Sequence, residues 1–325
     1  MAAPTRNIPA VISLFFVAPL VAEYLLGDLP LKLLAALIVL APAYGGAAVL
    51  IREAARRTGR GWPTMLLLGA AYALIAEGLV TQSIFNHDYL KMHMRLLDHA
   101  YIPALGIGGW STLFMFNLHT FWSVGVSIAL VEALFPAEAE TPWLGRAGLS
   151  IVALVFALGE AANFAIGFKQ NQFMASKTQL LSAAVLSALL ILVAFLTPVR
   201  RSRVTSGGEA LNPWLTGALA CVLGVGILKT PPQWGWAAVL ALLAMDAAFL
   251  VLVTFFSRQT GWSVVHTLSL AAGGALSYGI LAFTRKPLIG GVTWMRVSNT
   301  VFLAAVVSLI WLDARRVLRF QKLDG

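Results

Sequence analysis

The sequence predicts an all-α, polytopic transmembrane bundle of about ten spans with both termini cytoplasmic. Three observations carry this expectation. Of 325 residues, 59% are hydrophobic and only 11% charged, where a soluble domain carries roughly 25% charged residues. The hydrophobic residues fall into runs of about twenty, the length of helix that crosses a bilayer, and not into the short alternating strands of a membrane barrel. The 23 Lys and Arg residues fall in the gaps between the runs or, as Lys32 and Lys229 do, at their very ends.

Windows of about nineteen residues place the spans at 8–27, 31–51, 63–85, 110–134, 148–168, 178–198, 213–229, 234–256, 262–284 and 297–314. With a cytoplasmic N-terminus, fourteen basic residues fall inside and nine outside, and the dense clusters at 52–60, 200–203 and 315–322 share the inner side. That asymmetry orients a membrane protein. The net charge of +9 is then a topology signal with attraction to anionic lipid, and calls for no nucleic-acid partner. The chain reads as one transmembrane domain over 1–325, in a cell membrane, with the bilayer as its first partner.

Span one has no small-residue cleavage site and is expected to stay as a helix; Pro19 lies four residues before its Glu23. Pro42, Gly45 and Gly46 interrupt span two, a break tolerated where a neighbouring helix or cavity satisfies the freed backbone groups. Span three carries Glu77, with Gln82 and Asn86 toward its outer end. The outer gap 86–109 mixes apolar and charged residues and is expected to lie on the outer leaflet as an interfacial helix. Metal binding by His87, His93 and His99 with Asp88 and Asp98 is the sharper alternative, weakened because histidines six apart do not share a helix face.

Span four carries Asn117, His119, Thr120 and Ser123, with Glu132 at its inner end, where solvation is expected. Span five carries Glu160 and Asn163. Segment 199–212 reads as a flexible cytoplasmic linker, dividing the chain into six spans and four. Span seven is short and Gly-rich and holds Cys221, the single cysteine, so no intrachain disulfide framework exists. Asp246 sits near the middle of span eight, and His266-Thr267 in span nine echoes His119-Thr120, the one hint of an inverted repeat.

Glu23, Glu77, Glu132, Glu160 and Asp246 thus lie in hydrophobic runs without a basic partner at the same depth, so each is expected to be protonated, to bind a cation or to face water. Measured from the inner face at 1.5 Å per residue, Glu23 lies at ~22 Å, Glu77 at ~21 Å, Glu160 at ~18 Å and, in a ~30 Å hydrocarbon layer, His119 at ~17 Å. Four side chains on four helices share one band. Ionisable residues at such depth are functional by default. Glu77, His119, Glu160 and Glu23 are the primary candidates; Asp246, Gln82, Asn86 and Asn163 are secondary. Such a set can relay protons, hold a divalent metal through Glu77, His119 and Glu160, or use Glu77 as a general base on water. If each carboxyl merely hydrogen-bonds a neighbouring helix, the set is structural.

Ala76-Glu77-Gly-Leu-Val-Thr-Gln82, followed by Phe114-Met-Phe-Asn-Leu-His119 and Glu160-Ala-Ala-Asn163, resembles the CAAX-protease and bacteriocin-processing family of intramembrane enzymes over about residues 66–165. That family has a Glu-Glu-x-x-x-Arg helix, a Phe-x-x-x-His helix and a His-x-x-x-Asn-type helix. The resemblance implies that Glu77 and His119 activate water for peptide hydrolysis. The composition and broken spans point first to a proton- or cation-coupled transporter of unknown small-molecule, ion or peptide substrate, second to a Glu/His-dependent intramembrane hydrolase, third to a non-catalytic scaffold.

Overall fold

The computed structural model describes residues 6–199, 206–285 and 292–324. Among these, nine helices are long and apolar enough to cross a membrane: α1 (Ile8–Leu25), α2 (Leu31–Arg57), α3 (Trp62–Val80), α4 (Gly109–Leu134), α5 (Arg146–Asn171), α6 (Lys177–Leu196), α8 (Trp236–Arg258), α9 (Val264–Thr284) and α10 (Trp294–Gln321). The shorter apolar helix α7 (Pro213–Lys229) occupies the seventh expected span. The all-helical class is as expected. The only strands among the described residues are a hairpin, β1 (Tyr101–Ile102) with β2 (Ile107–Gly108), and a parallel pair, β3 (Ser206–Glu209) with β4 (Gln259–Thr260).

Helix α4 is the hub. Its most apolar window is 72% buried, against 11% for α5 and 17% for α6 and α8, so α4 runs through the interior while those three present most of their surface to lipid. One core cluster packs α1 to α4 together around Leu14, Met65, Ile128 and Trp143. A second joins α4 to α7–α10 through Trp122, Leu242, Leu268 and Tyr278.

Four helices change winding along their length. The π-helical turns are Leu20–Leu25 in α1, Ala41–Gly45 in α2, Ile75–Val80 in α3 and Leu118–Val126 in α4. Two have a proline at the break, Pro19 and Pro42. A proline in a helix lacks an N–H and crowds the carbonyl one turn back, and widening the turn relieves both. Such turns concentrate at functional sites.

Two glycines set how closely these helices approach. A Cβ at Gly45 would collide with the Phe15 carbonyl of α1, and one at Gly159 would lie 2.5 Å from Pro42 Cβ of α2. Small residues permit such contact between membrane helices. They draw α1 and α5 onto α2 at the level of its π-turn.

Arginines of 52–60 and of the end of α10 gather on one face, the basic face; residues 200–203 lie outside the described residues. Arg60 donates to the Phe195 and Thr197 carbonyls, Arg57 to that of Leu144, and Arg316 to that of Leu134. Two expectations need correction there. Arg52 and Arg56 lie inside the bundle, 0% and 6% exposed, and Glu132, expected to be solvated, is 6% exposed and pairs with both. The physical reason is that α2 continues past residue 51 to Arg57, carrying its arginines in against α4 and the 138–144 segment.

Segment 86–109 is not an interfacial helix. It holds one short 3-10 turn (Tyr89–Lys91) and the β1–β2 hairpin, with positive φ at Leu90, Lys91, His93, Arg95 and Ala100. Local polar contacts replace the helix: Asp88 Oδ1 accepts from the His93 N–H at 2.5 Å, and Asp98 meets His87 and Arg95, each at 2.5 Å. Of the linker expected over 199–212, residues 200–205 lie outside the described residues. Its remainder includes β3, which is paired with β4.

Candidate functional site

The four primary candidates come together around one imidazole. His119 Nε2 lies 2.7 Å from Glu77 Oε1. The other oxygen of Glu77 accepts from Thr81 Oγ1 at 3.1 Å and from Ser83 Oγ. Each Glu77 oxygen thus has a polar partner, and Nε2 is the ring nitrogen of His119 that faces the carboxylate. His119 Nδ1 is buried and has no hydrogen-bond partner among the described residues.

Two tyrosines connect the remaining acids. The Tyr44 ring stacks on His119 at 5.6 Å and 8°, and its hydroxyl donates to Glu23 Oε1 at 2.6 Å. Tyr72 meets the His119 ring edge-on at 5.5 Å and 89°, and its hydroxyl lies beside Glu160. Glu160 Oε1 is buried and unpartnered among the described residues. His119 is therefore clasped between two aromatic rings with a carboxylate on its Nε2 side. Its side chain is 7% exposed and that of Glu77 14%.

Local sequence explains the convergence. Glu23, Tyr44, Glu77 and His119 all sit in the π-helical turns of α1 to α4. Glu160 reaches the cluster because Gly159 lets α5 touch Pro42. Sequence reading missed Tyr44 and Tyr72, although a mid-span tyrosine is a signal: its hydroxyl needs a partner when buried.

The secondary candidates do other work. Gln82, left-handed at φ 56°, accepts from the Ala175 N–H at 2.7 Å and so ties the end of α3 to the α5–α6 connection. Asn86 accepts from the Asp88 N–H at 3.1 Å in a local turn. Asn163, a half-buried neighbour of Glu160, makes no side-chain hydrogen bond among the described residues. Asp246 Oδ1 and Asn117 Nδ2 are both buried without a hydrogen-bond partner among the described residues, and Asn117 lies two residues before His119, a spacing that does not share a helix face. Asp313 was passed over in the sequence: it is 0% exposed, and neither oxygen has a hydrogen-bond partner among the described residues.

Above the site, Tyr89 of segment 86–109 contacts Thr81, and burial pushes its hydroxyl above the usual range. Asp28, in the α1–α2 turn, is raised by burial and drawn back by Arg285 at 3.8 Å. Asp98 is held below the usual carboxylate range by His87, with Arg95 adding to it. Among the described residues no three His, Cys, Asp or Glu side chains are grouped to hold a metal ion. That holds for Glu77, His119 and Glu160 and equally for the outer histidines.

A family model described as an uncharacterized membrane protein family matches residues 12–197, more than half of the chain. The chain belongs to that family of multi-pass membrane proteins. The match ends at the close of α6 and takes in every residue of the cluster. No curated protein and no solved structure matches. No match to the CAAX-protease and bacteriocin-processing family accompanies it, so that resemblance lends no family chemistry to Glu77 and His119.

Proposed function

We propose that the first six helices build a membrane-embedded acid–base site whose proton-exchanging group is His119, and that it serves hydrolysis of an acyl bond. The observation that supports this most is the asymmetry of the imidazole. Nε2 is held by Glu77 at 2.7 Å, while Nδ1 is buried and unpartnered among the described residues. A carboxylate that fixes the tautomer and leaves the opposite nitrogen as a base is the arrangement of the hydrolase triads, in which the acid orients the imidazole and stabilises its protonated form. Here Nδ1 takes a proton from water as that water attacks a carbonyl carbon, and returns it to the leaving group. Glu160, with one oxygen unpartnered, stands as a second proton carrier.

The test is turnover by the purified full-length protein in proteoliposomes, on internally quenched peptides and fluorogenic esters. Turnover is expected, with a loss of about 10²- to 10⁴-fold in His119→Asn. Hydrolysis equal in His119→Asn and the unaltered protein would overturn the reading.

One observation favours a second reading, a proton-coupled carrier. The helices α1 to α4 are all broken by π-turns at the level of the site, and broken helices line the binding sites of many transporters. The same vesicles discriminate: solute-dependent discharge of a pH gradient without hydrolysis identifies a carrier.

A further inference from the structure

His119 sits in an unusual length of helix. Residues Leu118–Val126 of α4 are π-helical over nine residues, whereas π-helix is mostly confined to single turns. His119 is the second residue of that stretch, so whatever holds the winding also decides where the imidazole points. Part of the support is internal. Ser123 and Ser127 donate to the carbonyls of Leu118 and Trp122, five residues back, at 3.2 and 3.3 Å.

The rest comes from two sides. On one, α2 and α3 hold His119 through Glu77, Tyr44 and Tyr72. On the other, α9 holds Trp122, three residues further along. The indole N–H donates to the Gly274 carbonyl at 2.8 Å, and the ring stacks on Tyr278 at 4.7 Å and 7°. A buried indole N–H needs an acceptor, and here a neighbouring helix supplies it. Both rings are inside the bundle, Trp122 at 2% exposure and Tyr278 at 0%. Two glycines permit the approach. A Cβ at Gly274 would lie 2.7 Å from Val126 Cγ2, at the end of the π-helical stretch, and one at Gly224 of α7 would lie 3.2 Å from Trp122 Cζ2.

The winding reconciles these two attachments. In an α-helix, side chains three residues apart share a face. His119 and Trp122 instead reach different partners, α2 and α3 for one and α9 for the other, and a wider turn is what separates them. If the stretch relaxed to an α-helix, the two side chains would swing toward one face, and His119 could not meet Glu77 while Trp122 met Gly274. The partners of His119 fall within the family match at 12–197, and α7 and α9 lie beyond it.

We infer that Trp122 is a positioning residue: its bond to Gly274 and its stack on Tyr278 hold α4 in the π-winding and thereby set the His119 ring against Glu77. The inference rests on the reading of His119 as the base. It gives α9 a part in the site without contact with the reacting atoms.

The test is the ¹⁵N spectrum of His119 in the full chain in lipid vesicles, assigned by its absence in His119→Asn. Trp122→Phe deletes the N–H and keeps an aromatic ring at the position. The single tautomer expected of the unaltered protein should be lost in the folded variant, with turnover lower by about tenfold, the worth of one hydrogen bond. Gly274→Ala, whose methyl presses on Val126, serves the same test if Trp122→Phe does not fold. A merely structural Trp122 would lower the thermal unfolding temperature and leave the His119 spectrum as it was, and that result overturns the inference. Absence of turnover in the unaltered protein would sink the hydrolytic reading alone, because the spectrum still reports whether Trp122 sets the ring.

Discussion

Two buried charge clusters share α2 and α4 and differ in almost every other respect. On the basic face, Arg52, Arg56 and Arg57 meet Glu53 and Glu132. Eight residues away on α2, or about 12 Å, Tyr44 opens the other cluster: three glutamates and one histidine, with no arginine or lysine. The first is satisfied almost to the last atom. Arg52 bonds Glu132, Glu53 and the carbonyls of Glu138 and Ala139, with its guanidinium 3.5 Å from the Trp143 ring centroid. Glu53 also accepts from the Trp143 and Leu144 N–H groups at 2.6 and 3.2 Å. In the second, His119 Nδ1 and Glu160 Oε1 lack partners among the described residues. A network of three arginines and two glutamates, with Arg57 Nε its one unpartnered buried polar side-chain atom among the described residues, fastens α2 to α4. An acid-rich, unsaturated one leaves groups available for proton transfer.

The contrast is broken most decisively by removing one member of each cluster. Arg52→Ala takes one of two arginine partners from each of Glu132 and Glu53 and leaves the Glu138 and Ala139 carbonyls without that donor. It is expected to cost about 3–5 kcal/mol, the worth of breaking a buried pair, read as a large fall in thermal unfolding temperature. Glu77→Gln is expected to leave that temperature nearly unchanged while activity falls by about 10²-fold or more. If both variants unfold alike, the clusters do not differ in kind.

A second variant separates position from chemistry. Gly159→Leu forces α5 away from Pro42 and is expected to cost about 1–3 kcal/mol by overpacking. It also moves Glu160 from Tyr72, so activity should fall with it; unaltered activity would remove Glu160 from the site.

A gentler change removes a single hydroxyl. Tyr44→Phe keeps the ring stacked on His119 but deletes the donor to Glu23. The expected loss is about 0.5–1.5 kcal/mol with a correspondingly small loss of rate, and a rate unchanged would make Glu23 a bystander.

The smallest effect lies in segment 86–109. Asp98 is held below its ordinary value by His87 and Arg95. A lowered folded value means that its contribution is present above the ordinary carboxylate range, near about 4, and is lost as pH falls through the lowered value. Hydrogen exchange of 86–109 should therefore rise only below about pH 4, and no such rise in Asp98→Asn is expected beyond its already faster exchange.

How much of this was legible in the sequence differs between the two clusters. The depth of Glu23, Glu77, His119 and Glu160 can be read from helix length alone, because each sits well inside a long apolar run. Which groups complete the cluster cannot, since Tyr44 and Tyr72 are chosen by helix rotation and by the contacts that Gly45 and Gly159 allow. The Arg52–Glu132 pairing was hidden for a different reason. A hydropathy window ends span two at its first arginine, whereas the helix runs on to Arg57 because Glu53 and Glu132 satisfy the three arginines of its last turns. Segment 86–109 has a helix-like composition, but Asp88 and Asp98 offer its backbone and its histidines nearer partners than a helix would.

The most direct test of the acid–base site is the ¹⁵N spectrum of His119, assigned by its absence in His119→Asn. Protonated Nε2 and bare Nδ1 are the expected tautomer, with the preference lost in Glu77→Gln. A proton resident on Nδ1, or a spectrum indifferent to Glu77, would contradict the assignment of His119 as the base.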